Sequence, residues 1–281
     1  MPRHEAVLTD TALTDTVLTD VRAGRVRAVA ALTRRSVRAR QGRFLVEGPQ
    51  AVREAVRHRP GAVRVLYVDS AQPHRHADIL AEARDGAIPV VPASPAVLAA
   101  MCDTDAPQGL LAVSRMIDVD VRDVLAARPR LLAVLTDVRD PGNAGTVIRG
   151  ADAAGADAVL IGRASVDVYN PKVVRSAVGS HFHVPLVVGV DVPEVIAHLR
   201  AAGVRTLAAD GNADRLLSDA DLAGPHAWIL GNEARGLRPA VREACDDVVA
   251  VPVYGQAESL NLAMAATVCL YASAQAQRRA T

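Results

Sequence analysis

The stretch from Leu131 to Leu160, LLAVLTDVRDPGNAGTVIRGADAAGADAVL, limits the possible fold more than any other part of the chain. Five apolar residues, Leu131 to Leu135, read as a buried strand. The following Asp137-Val-Arg-Asp-Pro-Gly has turn chemistry around Pro141 and Gly142. Asn143 then suits a helix N-cap, because its side-chain oxygen can accept an unpaired backbone N–H. A helix over Ala144–Ala154 stops at Gly155, and a second apolar run, Ala158 to Ile161, follows at once. Strand, polar loop, helix and strand in that order form the unit of a parallel sheet. Open α/β sheets bind ligands outside the carboxyl ends of their strands. Asn143 and Arg149, six residues and nearly two turns apart, are both expected to lean toward that edge.

Two later stretches belong with this one: Ile229-Leu-Gly-Asn-Glu-Ala-Arg-Gly-Leu237 and Val251-Pro-Val-Tyr-Gly-Gln-Ala-Glu-Ser-Leu-Asn-Leu-Ala-Met264. In order they read N-x-G-x-x-x-R, L-G-N-E-x-x-G-L and V-P-V-x(5)-S-L-N. Together they resemble the three motifs of the SpoU/TrmH family of the SPOUT superfamily. Its members are S-adenosylmethionine-dependent RNA ribose 2′-O-methyltransferases. The resemblance covers about half the chain, Leu131 to Arg279. It implies a mostly parallel α/β domain carrying a deep trefoil knot, and a homodimer paired through that domain. Composition and periodicity show no knot.

The chemistry asks for an adenosine pocket, in-line placement of the acceptor oxygen and a destination for its proton. The resemblance maps cofactor contacts onto Gly231, Val251 and Leu260. A glycine lets the backbone approach a planar ring closely, and Val251 and Leu260 can offer backbone hydrogen bonds and apolar walls. It maps the catalytic set onto Asn143, Arg149, Glu233, Ser259 and Asn261. Ser259 also suits a helix N-cap. Arginine does not lose its proton near neutrality, so Arg149 is expected to orient the target phosphate and hydroxyl rather than act as a base.

Upstream, the pattern predicts a smaller α/β domain. Apolar spacing gives a helix from Val21 to Ala39, broken at Gln41-Gly42. Strands follow at Arg43–Glu47, Val63–Val68, Ile88–Val91 and Leu110–Val113, with helices at Pro49–His58, Asp78–Ala83 and Pro95–Met101. Arg38, Gln41, Gly42, Phe44, Leu45, Val46, Glu47, Gly48, Val52, Glu54 and Ala55 resemble the opening of the ribosomal-protein-like substrate-binding domain found before many SpoU domains. Between Val21 and Val65 stand twelve arginines against only Glu47 and Glu54, a local footprint suited to phosphates. Arg34, Arg35, Arg38 and Arg40 are the expected RNA contacts. Lys172 and Arg175, one turn apart after the cap Asn170 and Pro171, are added by resemblance. The expected division is a tail over 1–20, an RNA-binding domain over 21–117, a linker over 118–130 and a methyltransferase domain over 131–281. The tail repeats Leu-Thr-Asp at a five-residue period that fits neither helix nor strand. It reads as disordered or loosely helical, or as an over-extended start.

Other classes find little support. The net charge is +1, so overall charge names no partner. Cys102, Cys245 and Cys269 stand singly, without metal-ligand or disulfide spacing, and no metal is expected. His181 and His183 alternate as strand residues would. No signal peptide or membrane span is legible, so the expected location is cytoplasmic. The composite expectation is 2′-O-methylation of 23S ribosomal RNA by a homodimer using S-adenosylmethionine. The alternatives are a tRNA 2′-O-methyltransferase, or a non-catalytic RNA- or ribosome-binding protein on the same fold.

Overall fold

A computed structural model describes residues 16–72 and 74–280. The chain divides into two compact units, one of residues through Ile117 joined by Tyr169–Phe182, the other of Asp118–Val168 with His183 onward. The expected methyltransferase segment therefore lends fourteen residues to the first unit. Most of the tail repeat lies outside the described residues. Its third copy does not: Leu18 bridges Ala93 in parallel, its N–H donating to Pro92 O at 2.8 Å.

In the first unit, α1 (Gly24–Ala30) and α2 (Arg35–Gln41) replace the single helix expected from Val21 to Ala39. A 3₁₀ turn, Ala31–Thr33, separates them. The cause is Arg38. Only 1% exposed, it donates from Nη1 to the carbonyls of Leu32 at 2.8 Å and Thr33 at 2.6 Å, which satisfies the open end of the preceding turn. Arg38 is thus a structural residue, and its expected RNA contact is withdrawn. Gly42 closes α2 at φ +61°, a left-handed conformation that favours glycine. Then follow β1 (Arg43–Glu47), α3 (Pro49–His58), β2 (Val63–Asp69), α4 (Ala77–Asp85), β3 (Val90–Ala93), α5 (Pro95–Met101) and β4 (Leu110–Arg115). The sheet order is β1-β4-β2-β3, with β4 antiparallel to both neighbours and β2 parallel to β3. Val26, Val29, Leu32, Leu45, Tyr67 and Met101 share its core.

The second unit opens with α6 (Val121–Ala126), capped by Asp120. Val124 is buried in that unit's core, so the expected linker is packed structure. Its other elements are β5 (Leu131–Leu135), α7 (Pro141–Ala154) and β6 (Ala158–Gly162). The chain then gives α8 (Pro171–Ala177) to the first unit. There the Tyr169 and Phe182 rings lie 4.7 and 6.2 Å from Phe44. His181 sits in a 3₁₀ turn, not a strand. Returning, the chain forms β7 (Leu186–Val190), α9 (Val192–Ala201), β8 (Arg205–Ala209), β9 (His226–Leu230), α10 (Pro239–Ala244), β10 (Asp247–Val249) and α11 (Leu262–Arg279). All six strands are parallel, in the order β10-β8-β9-β5-β6-β7. The chain builds outward from β5 to β7 and then crosses to the other side, which makes the carboxyl edge of β5 and β9 the switch point. Among the described residues no helix is long and apolar enough to cross a membrane.

The long helix α11 lies against α7, and Gly150 permits the approach. A Cβ there would stand 2.8 Å from Thr267 Oγ1. Under α11, Ser273 Oγ accepts Trp228 Nε1–H at 2.8 Å and lies 2.7 Å from His226 Nε2. His226 Nδ1 lies 2.8 Å from Gly224 O, which requires the proton on Nδ1, so Nε2 competes with Cys269 O, 2.9 Å from Ser273 Oγ, for the single serine proton. Burial lowers the His226 pKa below its usual 6.5, against a smaller opposing effect of the Gly224 carbonyl. Burial likewise pushes the thiols up, Cys102 and Cys269 to about 12 and Cys245 to about 11, which leaves all three as protonated thiols.

The histidine predicts an acid dependence. The unfolded chain binds this proton below about pH 6.5 while the folded chain resists it, so stability falls as pH drops through that value. Thermal unfolding is expected at progressively lower temperature from about pH 7 to 5.5. His226→Gln should be less stable at pH 7 but show a shallower pH dependence. An equally steep dependence in that variant would assign the effect to other groups.

Candidate active site

Three loops meet at the carboxyl edge of β5 and β9. The first, Thr136–Asp140, turns through Asp137 at φ +56°, an uncommon conformation for a residue with a side chain. Arg238 holds it there, with Nε and Nη2 at 2.6 and 3.0 Å from the Asp137 carboxylate. The helix α7 then begins earlier than sequence spacing suggests. Asp140 is the N-cap, its Oδ1 accepting Asn143 N–H at 2.7 Å, and Pro141 takes the first helical position. Asn143 is therefore in the first turn and its side chain is released from capping.

That side chain joins two other expected residues. Asn143 Nδ2 donates to Glu233 Oε1 at 3.3 Å, and Asn143 Oδ1 accepts Asn261 Nδ2 at 3.0 Å. Asn261, not Ser259, caps α11, accepting Ala263 N–H at 2.9 Å. Glu233 also accepts Asp140 N–H at 3.2 Å, Arg139 N–H at 3.4 Å and Asn232 Nδ2 at 3.3 Å. These groups border a cleft of about 990 Å³ lined by the loops after β5 and β9.

Gly231 stands at the end of β9, and the reason for it is internal. The Asn232–Gly236 loop folds back, with paired backbone hydrogen bonds of 2.9 Å between Asn232 and Gly236. A Cβ on Gly231 would lie 2.5 Å from Gly236 C and 2.7 Å from Leu237 N. The loop's own backbone claims that space. Val251 is half-buried and Leu260 exposed. Between them runs a segment in which residues 251–260 form no backbone–backbone hydrogen bond with other described residues.

Two expected residues are not drawn into this cluster. Ser259 is exposed and without a hydrogen-bond partner among the described residues. Arg149 is likewise exposed and unpaired among them, on the outer face of α7. Six residues at 3.6 per turn place it about 120° around the helix from Asn143, so the expected common lean does not occur. In the first unit, Arg34, Arg35, Arg40 and Lys172 are exposed. Arg175 is engaged instead, with Glu47 at 2.9 Å and Asp103 at 3.0 Å. Sequence reasoning passed over Asp140, although aspartate before proline is itself a helix-start signal. It also passed over the Asp137–Arg238 pair, whose members lie 101 positions apart and have no local signal.

This fold, with its switch-point cleft, is that of a known group. Residues 130–271 match the SpoU rRNA Methylase family, and residues 24–112 match the MRM3-like substrate binding domain. The chain belongs to the SpoU rRNA methylase family, a family of S-adenosylmethionine-dependent RNA 2′-O-methyltransferases. It is 36% identical over 234 residues to the 23S rRNA (guanosine(2553)-2′-O)-methyltransferase RlmP of Bacillus subtilis, covering 83% of this chain and 89% of that protein. It is 36% identical over 249 residues to the 23S rRNA (uridine(2479)-2′-O)-methyltransferase of Streptomyces viridochromogenes, covering 86% of each. The crystal structure of the SpoU methyltransferase AviRb with AdoMet, from the same species, superposes with a TM-score of 0.79 at 35% identity, covering 92% of this chain and 100% of that one.

The residues present fit S-adenosylmethionine. The main chain of 251–260, which makes no backbone–backbone hydrogen bond with other described residues, has donors and acceptors that could meet a purine edge, and Val251 and Leu260 could add apolar surface. Gly231→Ala is expected to push the Asn232–Gly236 loop out of place at a cost of about 1–3 kcal/mol. Cofactor affinity should then fall roughly tenfold or more, together with the unfolding temperature. Parent-like titration calorimetry and melting would show that the loop tolerates the methyl group.

Proposed function

We propose that the protein transfers the methyl group of S-adenosylmethionine to a ribose 2′-hydroxyl of large-subunit ribosomal RNA. The hydrogen-bonded run Glu233–Asn143–Asn261 at the carboxyl edge of β5 and β9 carries this reading. Relatives named for 23S rRNA, together with the MRM3-like domain, support ribosomal RNA over tRNA. One of those relatives is named for guanosine and the other for uridine, so the nucleotide does not transfer with the family.

When bound, S-adenosylmethionine supplies an electrophilic methyl group beside a sulfonium. Gly231, Val251 and Leu260 hold its adenosine. Glu233 is a positioning residue: its carboxylate fixes the Asn143 amide, and Asn143 in turn fixes Asn261. The two amides and the Ser259 hydroxyl orient the attacking 2′-oxygen. Arg149 holds the target phosphate and steadies charge developing on that oxygen. Arg34, Arg35, Arg40 and Lys172 draw in the RNA backbone.

The same reading includes a homodimer, the trefoil knot of this fold and a cytoplasmic location. Along α11, Met264, Val268 and Tyr271 form an exposed apolar stripe at helical spacing, with Met264 66% exposed. Tyr254, in the preceding segment, is 94% exposed. A second copy covering this face offsets the cost of exposing it. Arg149 lies on the adjacent helix α7 and is exposed. Sedimentation at micromolar concentration should give a dimer; a monomer alone would refute it.

Labelled methyl from S-adenosylmethionine should enter 23S rRNA at a 2′-oxygen, located by nucleotide mapping. Arg149→Ala should reduce transfer by about a hundredfold or more, with calorimetric cofactor affinity unchanged. Arg149→Lys should be similarly impaired, because a point charge replaces the planar fork. Parent-rate transfer by folded Arg149→Ala would overturn the assignment.

A further inference from the structure

The first unit carries its charge at opposite ends of its sheet. One end holds the finish of β1 and β2 and the loop entering β4, and it is acidic: Glu47, Asp69, Asp103 and Asp105. The other end holds the start of β1, the start of β2 and the finish of β4. The segments 34–43, 59–66 and 111–116 converge there and contain eight arginines and no carboxylate. Register brings them together. Arg43 stands directly across the antiparallel ladder from Arg115, and Val63 stands across from Ser114. The bulge between Val63 and Val65 leaves Arg64 exposed beside them. Ser114 Oγ donates to Ala62 O at 3.3 Å, and Ala62 N donates to Arg59 O at 2.9 Å, which fixes the Arg59 turn to the same end. Gly42 O accepts Met116 N–H at 2.8 Å, which brings α2 and Arg40 to the finish of β4.

Three features separate this end from an ordinary solvated surface. Arg43 and Arg115 stand directly opposite one another in the ladder, so two arginines share one register position. Arg40, Arg59, Arg64 and Arg115 are exposed and have no ion pair among the described residues. Elsewhere in the same unit several arginines are paired, Arg53 with Asp78, Arg57 with Glu82, and Arg175 with Glu47 and Asp103, while Arg27, Arg75 and Arg84 are exposed without an ion pair among the described residues. None of the exposed large hydrophobic side chains lies in the three segments, and a protein-binding face would carry some at its centre.

We infer that this end of the sheet is a docking surface for the RNA sugar–phosphate backbone, held by Arg59, Arg64 and Arg115 together with Arg40. It rests on the reading of the protein as an RNA methyltransferase and adds strand and turn arginines that helical patterning does not reveal. Recognition is by charge and shape, so it is sequence-independent. The surface supplies affinity and leaves the chosen nucleotide to the cleft.

The test uses the full chain with Arg59→Gln, Arg64→Gln and Arg115→Gln combined. Binding to a 23S rRNA transcript, and to an unrelated transcript of equal length, is measured across a salt series. Removing one arginine–phosphate interaction should flatten the log–log salt dependence by about 0.7 for a single strand, so the triple variant should drop roughly two units on both transcripts. KM for RNA should rise, while kcat at saturating RNA and cofactor affinity stay at parent values. Arg115→Gln alone should reduce the slope by about 0.7 and melt close to the parent, because the exposed Arg115 side chain makes no hydrogen bond or ion pair among the described residues. It therefore serves even if the triple variant folds poorly. Parent-like slope and KM in Arg115→Gln and the folded triple would overturn the surface, whether that end is solvated or meets a protein. Failure of the parent to methylate any RNA would instead overturn the functional reading, since binding and transfer are measured separately.

Discussion

The carboxyl edge of β5 and β9 depends on one carboxylate. Glu233 sits in the loop after β9 and gathers two backbone N–H groups of the loop after β5, the amide of Asn143 and the amide of Asn232. Hydrogen bonds to a charged acceptor contribute about 1.5–3 kcal/mol each when well made. The longer distances here and the exposure of Glu233 place these at the weaker end. They tie segments more than ninety residues apart in sequence. The left-handed turn at Asp137 is held in addition by Arg238 and by Asn232 Nδ2, which donates to Asp137 O at 2.9 Å. A carboxylate with this many donors is fully employed in geometry. It fixes Asn143 and Asn232 directly, and Asn261 through Asn143.

Much of the architecture was legible because short apolar runs alternate with helical spacing. Leu131–Leu135 is a fully buried strand as expected, and Pro49–His58 and Pro95–Met101 begin and end where proline and spacing place them. What failed were assignments decided by interactions distant in sequence. Asn143 and Ser259 both suit a helix cap by local chemistry, but Asp140 and Asn261 take those positions. Arg38 looked like one more surface arginine until α2 folded it under Leu32. The excursion of Tyr169–Phe182 into the first unit has no composition signal, and the Phe44 ring that receives it lies over a hundred residues upstream.

The candidate site was legible in part for the same reason. Motif order names Asn143, Glu233 and Asn261, and these three are hydrogen-bonded. Helix geometry separates Arg149 from them, because six residues fall well short of two full turns. Gly231 was named for a ligand's sake, yet its tightest neighbour is its own loop. One residue can satisfy both demands, and the internal one alone already forbids a side chain there.

The bare main chain of residues 251–260 has a thermodynamic consequence. A segment that makes no backbone hydrogen bonds with the rest of the described chain gives up conformational freedom when a ligand orders it, at about 1–2 kcal/mol per residue fixed. Association there should release heat through new hydrogen bonds and lose entropy through ordering, with the two largely cancelling. Whatever orders the segment first spares the next ligand that loss. Two ligands sharing it, a nucleoside and an RNA, would then assist one another without touching.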